Sequence, residues 1–228
     1  MPPTVLVADD HPLFREALRH ALDRAIPGAE VIEADTVAAL IAVAEGHPQA
    51  DLLLLDLNMP GAQGFSALVQ MRAHYPTLPV VIISANEDPA IIRRAIAHGA
   101  AGFVPKSSSV EQMVTALGAV LEGDVWVPPS VDLDAPGLDN AEADIAERLG
   151  SLTPQQFRVL TMLSSGLLNK QIAWELGVSE ATIKAHMTAI MQKLGANNRT
   201  QAVVLAQRLA LDRGPAAAGA TQAGSPPA

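Results

Sequence analysis

Hydrophobic positions in the first 127 residues follow two alternating rhythms. Short β-branched or leucine-rich runs at 5–8, 30–34, 52–55, 80–83 and 102–104 predict five strands. Between them, apolar positions spaced three and four apart predict helices over 12–24, 36–45, 64–75, 89–98 and 109–122. Pro12 and Pro89 suit a first helical turn, Asp35 is placed to cap the second helix, and Gly99 and Gly123 sit where helices stop. The run Leu52-Leu53-Leu54-Leu55 has no polar alternation, as expected of a strand buried on both faces. Five strands alternating with five helices predict an α/β doubly wound parallel sheet over residues 1–123.

The rhythm then breaks. Residues 124–150 carry Pro128-Pro129, Pro136-Gly137 and a run of acidic side chains, and read as a linker. From 151 to 211 only helical patterns remain, so a small all-α domain follows. The tail, 212–228, is almost entirely small and polar without a hydrophobic period, and is expected to be disordered.

Composition narrows the function. The chain has 228 residues, 49% of them hydrophobic, enough for two small cores. It has no cysteine, which removes disulfides, thiolate metal sites and cysteine nucleophiles. Aromatics at 3% leave little material for stacking single-stranded bases. No apolar stretch is long enough to span a bilayer and no basic leader opens the chain, so a cytoplasmic location without membrane association is expected. The net charge of -9 is unevenly spread: -8 over residues 1–128, -5 over 129–150 and +4 over 151–228. Such segregation suits an acidic module joined to a nucleic-acid module, with the acidic part able to occlude the basic one.

In an open α/β sheet, ligands bind beyond the carboxyl ends of the strands. There the sequence places Asp9 and Asp10 after the first strand, Asp56 after the third, Ser84 after the fourth and Lys106 after the fifth. Any one of these aspartates alone reads as a cap or turn former. Three carboxylates converging on one edge repel one another unless a hard cation joins them, and Mg²⁺ is the expected ion. A carboxylate can also act as a nucleophile in phosphoryl transfer, with a metal and an ammonium neutralising the phosphoryl oxygens. Asp56 is then the acceptor, Lys106 the phosphoryl-binding cation, and Ser84 a hydroxyl placed to hydrogen-bond the product.

In the second domain, Thr153-Pro154-Gln155-Gln156 forms a capping box, and Phe157, Leu160 and Leu163 share a face. Asn169 is placed to cap a helix ending near Leu176, Gly177 makes a turn, and Ser179 caps a third helix reaching Leu194. Two helices joined by a short glycine turn predict a helix-turn-helix, whose second helix enters the major groove of double-stranded DNA. That helix buries Ile183, Met187 and Ile190, and offers Glu180, Thr182, Lys184, Ala185 and Thr188 on its other face. Lys170 and Lys193 lie nearby for phosphate contacts.

Residues 4–123 resemble a response-regulator receiver domain of flavodoxin-like fold, through Asp9-Asp10, Asp56-Leu-Asn-Met-Pro-Gly61, Ser84-Ala85, Phe103 and Lys106. Residues 152–209 are similar to the LuxR-type helix-turn-helix domain, through Leu152-Thr-Pro, Asn169-Lys-Gln-Ile-Ala173, Leu176-Gly-Val-Ser179, Thr182-Ile-Lys-Ala-His186 and Asn198-Arg-Thr-Gln-Ala202. Together they suggest the NarL/FixJ family of two-component regulators. The resemblance implies Mg²⁺ held by Asp9, Asp10, Asp56 and the Asn58 carbonyl, with Ser84 and Phe103 as the switch. It implies phosphorylation of Asp56 by a sensor histidine kinase and a homodimer paired through helix 199–210 when phosphorylated. Lys184, Ala185 and Thr188 would face DNA. The sequence departs from the family in placing Pro105 before the lysine, Leu168 at a common serine position and Gln156 at a common glutamate one. A DNA-binding regulator independent of phosphorylation remains an alternative. So does a haloacid-dehalogenase-type phosphatase, which needs a D-x-D motif that the adjacent Asp9-Asp10 does not provide; a non-enzymatic regulator is the expectation.

Overall fold

The computed structural model describes residues 2–62, 64–133 and 140–208. The expected disordered tail lies outside the described residues. The first domain alternates β1 (Thr4–Ala8), α1 (Pro12–Ala25), β2 (Glu30–Ala34), α2 (Val37–Gly46), β3 (Leu52–Asp56), α3 (Ser66–His74), β4 (Val80–Ser84), α4 (Pro89–Ala97), β5 (Gly102–Pro105) and α5 (Val110–Leu121). The strands form one parallel sheet in the order β2-β1-β3-β4-β5.

Alternate residues of each strand serve opposite faces. Val5, Val7, Leu52, Leu54, Val81, Ile83 and Val104 join one core with α1 and α5. Leu6, Ala8, Leu53, Leu55, Ile82 and Phe103 join another with α2, α3 and α4. Both faces being covered, the leucine run of β3 is buried throughout. The second helix is capped by Thr36, whose side chain accepts from the Ala39 N–H, and not by Asp35.

The second half contains α6 (Asn140–Gly150), α7 (Pro154–Ser164), α8 (Asn169–Glu175), α9 (Glu180–Leu194) and α10 (Arg199–Gln207). Helix α6 lies inside the segment that reads as a linker. Ile145 and Leu149, four apart, and Leu152 just beyond are all buried, while Asp144 and Glu147 face solvent. The turn residues and acids upstream hide this short stripe in the sequence. The cap of α8 also differs: Leu168 holds the cap position, and its N–H donates to Gln171 Oε1 at 2.8 Å.

The two domains are packed together. α6 lies between α3 of the first domain and α9 of the second, and α7 packs on α2 and α3, so one hydrophobic core runs from the sheet into the helical domain. At Gly61, with φ of 84°, a Cβ would stand 2.6 Å from the Thr161 methyl, so the loop after β3 touches α7 where only glycine fits.

Candidate functional site

The sheet order reverses direction between β1 and β3, and the carboxyl ends of these strands bring the acidic residues together. Asp9 and Asp56 are each 1% exposed. Lys106 Nζ donates to Asp56 Oδ2 at 2.8 Å and lies 2.6 Å from Asp9 Oδ2. Burial alone would lower the Lys106 pKa, but hydrogen bonds and attraction from Asp56 and Asp9 outweigh it and hold the ammonium above its ordinary value. The inverted Pro105-Lys106 order does not prevent this reach: the Lys106 N–H donates to the Ser84 carbonyl at 2.8 Å, and the side chain turns inward from there.

Asp10, at 29% side-chain exposure, and His11 complete the cluster, and the Asn58 N–H donates to Asp56 Oδ1 at 3.1 Å. Arg15 Nη1 donates to the Asp9 carbonyl at 2.6 Å and pairs with Glu33, fixing the end of β1. Ser84 is fully buried, its Oγ accepting from the Asn86 N–H at 3.1 Å, and Phe103 is fully buried against the α4 side of the sheet. A cleft of about 460 Å³ opens here, lined by His11, Phe14, Asp56, Asn58, Ala85 and Lys106.

This donor set suits a hard divalent cation. One ligand atom from each of Asp9, Asp10, His11 and Asp56 can be chosen so that all lie within 4.8 Å of one another. Asp9 Oδ2 and Asp10 Oδ1 are both buried, and the groups near them are cations or an imidazole: Lys106 Nζ at 2.6 Å from Asp9 Oδ2 and His11 Nδ1 at 2.7 Å from Asp10 Oδ1. Three clustered carboxylates facing one ammonium keep lone pairs that an oxygen-seeking cation can take up.

Residues 5–118 match the response regulator receiver domain family, and residues 150–206 match the luxR family of bacterial regulatory proteins. The chain is 42% identical over 207 residues to a glycerol metabolism activator of Pseudomonas putida, covering 89% of this chain and 94% of that protein. The chain is a LuxR-type two-component response regulator. It is also 34% identical over 208 residues to a probable transcriptional regulatory protein, NarL, of Mycobacterium tuberculosis, covering 90% and 93% of the two chains. Among solved structures, RcsB of Salmonella typhimurium is similar at 27% identity and a TM-score of 0.53, covering 90% of this chain and 98% of that one. An RcsB–DNA complex is similar at 27% identity and a TM-score of 0.52, with the same coverage. The regulator controls transcription, and receiver domains of its family typically hold Mg²⁺ at such an acidic pocket. No helix among its described residues is long and apolar enough to cross a membrane.

In the regulator's second domain, α9 buries Ile183, Met187, Ile190 and Leu194 against α6, α7, α8 and α10. Glu180, Thr182, Lys184, Ala185 and Thr188 are exposed, as is Lys170 on α8. The acidic first domain therefore does not cover the face expected to meet DNA, which corrects the occlusion suggested by net charge. Lys193 is exposed as well, and its ammonium donates to the Ser151 carbonyl at 2.7 Å and Gln156 Oε1 at 2.9 Å, tying α9 to the α6–α7 turn.

What joins the regulator's domains was not foreseen. Gln70 and His74 of α3 both donate to the Leu152 carbonyl, at 3.0 and 2.6 Å. Glu142 of α6 pairs with Arg94 at 2.8 Å and with His98 Nε2 at 2.8 Å, while the Arg94 guanidinium and the His98 ring each lie about 5 Å from the Phe65 ring. These partners are 44 to 82 residues apart in sequence, and no local pattern announces them.

Proposed function

We propose that Asp56 accepts a phosphoryl group from a sensor histidine kinase, and that this opens the seam between the domains and leads to DNA binding as a homodimer. In the transfer, an Asp56 oxygen bonds to phosphorus while the bond to the donor histidine nitrogen breaks and that nitrogen keeps the electron pair. The observation that carries this reading is Lys106 Nζ at 2.8 Å from Asp56 and 2.6 Å from Asp9, a cation held where phosphoryl charge arrives. Asp9, Asp10, Asp56 and the Asn58 carbonyl would hold Mg²⁺, which supplies positive charge to offset that of the phosphoryl oxygens. Ser84 offers its hydroxyl to the product, and Phe103 follows it as the switch.

Two features support transmission to the helical domain. The loop after Asp56 touches α7 at Gly61 and Thr161. Gln70 Oε1 is buried in the closed seam without a hydrogen bond, a cost of the closed form that opening relieves. Opening also uncovers the Ala206 end of α10, which lines a small cavity with Gly61 and Ser66, while Val204 of the same helix is already exposed for pairing. Thr182, Lys184, Ala185 and Thr188 then meet base edges and phosphates, with Lys170 on the backbone.

The test is mass by light scattering and affinity for a selected operator, with and without Mg²⁺ and beryllofluoride. Wild type is expected to dimerise and bind more tightly with the mimic, and Asp56→Ala to do neither. Equal DNA binding by both proteins in all conditions sinks the phosphorylation switch.

A further inference from the structure

His11 stands in the acid cluster with its ring Nδ1 turned toward the carboxylates. It occupies the cap position of α1, yet its side chain makes no capping hydrogen bond, and it is 63% exposed. Its backbone N–H donates to Asp9 Oδ1 at 2.7 Å, so the turn that orients Asp9 also places the ring. Nδ1 lies 2.7 Å from Asp10 Oδ1, 3.4 Å from Asp9 Oδ1 and 3.9 Å from Asp56 Oδ2. The buried Asp9 Oδ2, with Lys106 Nζ at 2.6 Å, sits in the same cluster.

An all-oxygen set favours Mg²⁺ or Ca²⁺, whereas imidazole nitrogen adds affinity for first-row transition ions. We propose that His11 Nδ1 is a further protein ligand at this site and biases it toward Mn²⁺ over Mg²⁺. The inference rests on reading the acid cluster as a divalent-cation site, and extends it from oxygen donors to a mixed set. It concerns which ion the receiver loads, and leaves the acceptor role of Asp56 as argued above.

The full chain tests it, with Mn²⁺ as the probe. Paramagnetic resonance titration gives the Mn²⁺ affinity, Mg²⁺ competition gives the Mg²⁺ affinity, and electron spin-echo modulation reports nitrogen bound to manganese. Wild type is expected to show nitrogen modulation and His11→Ala to lack it. The Mn²⁺-to-Mg²⁺ affinity ratio is expected to fall roughly tenfold in that variant, the low end for loss of a metal-site partner. The exposed, non-capping side chain makes this substitution safe for the fold, and Asp9→Asn serves as the second variant. If Asp9→Asn abolishes Mn²⁺ binding while wild type shows no nitrogen modulation, or His11→Ala keeps the ratio, His11 is not a ligand and the acid site stands. If Asp9→Asn binds Mn²⁺ as tightly as wild type, the acid-site reading falls and the inference with it.

Discussion

The strand ends and the seam between the domains both bury charge, but in opposite stoichiometry. At the strand ends the buried Asp9 and Asp56 share one ammonium, that of Lys106, and Asp10 adds a third carboxylate beside them, against His11. In the seam one carboxylate, Glu142, is shared by Arg94 and His98. The first arrangement carries an excess of negative charge beside an open cleft, and so has unmet demand for cations. The second is balanced and mostly buried, the Arg94 and Glu142 side chains each 14% exposed and that of His98 2%. Excess charge makes a place to bind; balanced charge makes a place to hold.

The sharpest way to break the contrast is to empty the seam. The Leu152 side chain is fully buried in the seam, so Leu152→Ala, which keeps the carbonyl that receives Gln70 and His74, is expected to cost about 2–5 kcal/mol from the lost packing alone. Calorimetry should show the unfolding transition fall and separate into two, one per domain. A single transition at the wild-type temperature would mean that the seam adds nothing.

Charge removal should have opposite signs in the two places. Glu142→Gln strands a guanidinium in a partly buried site and should cost about 2 kcal/mol, between surface and buried values, with the chain expanding in small-angle scattering. Asp10→Asn relieves repulsion among the acids and should raise the melting temperature slightly in metal-free buffer. Equal losses from both substitutions would erase the distinction.

The smallest effect is that of pH on the seam. Burial pulls the His98 pKa below the ordinary histidine value by more than Glu142 raises it, with Arg94 adding to the lowering. Because the folded value is the lower one, the closed form has its full stability above the unfolded value near 6.5 and loses it as pH falls from there toward the folded value. Melting temperature followed between pH 8 and 5 should decline in wild type, and less in His98→Gln.

The difference between the two regions also explains what could be read from the sequence. Strand ends are announced locally: a β-branched run, then Asp9-Asp10, Asp56, Ser84 or Lys106, and the rule of parallel sheets places them on one edge. All five predicted strands lie within the observed ones. Glu142, Arg94, His98, Gln70 and His74 carry no such signal, since each is an ordinary polar residue on a helix until the two domains meet. The miss of α6 has the same origin, because Ile145 and Leu149 are a stripe too short to recognise without α3 and α9 to cover it. Asp35 against Thr36, and Asn169 against Leu168, are one-residue errors at helix starts, where cap geometry decides between adjacent polar or apolar neighbours.

Helix α6 has a bearing on how this chain can be cut and rejoined. Its Arg148 donates to the Leu194 carbonyl at 3.2 Å, so the last turn of α9 is finished by a side chain from upstream of the helix-turn-helix. A Cβ at Gly195 would stand 2.7 Å from that guanidinium, so this corner is shaped around its guest. A sensor chimera joined at Ser151 would leave this support behind and strip the Leu194 carbonyl of its side-chain donor, whereas one joined ahead of Asn140 would carry the support along. The portable DNA-reading cassette therefore starts in what composition marks as spacer.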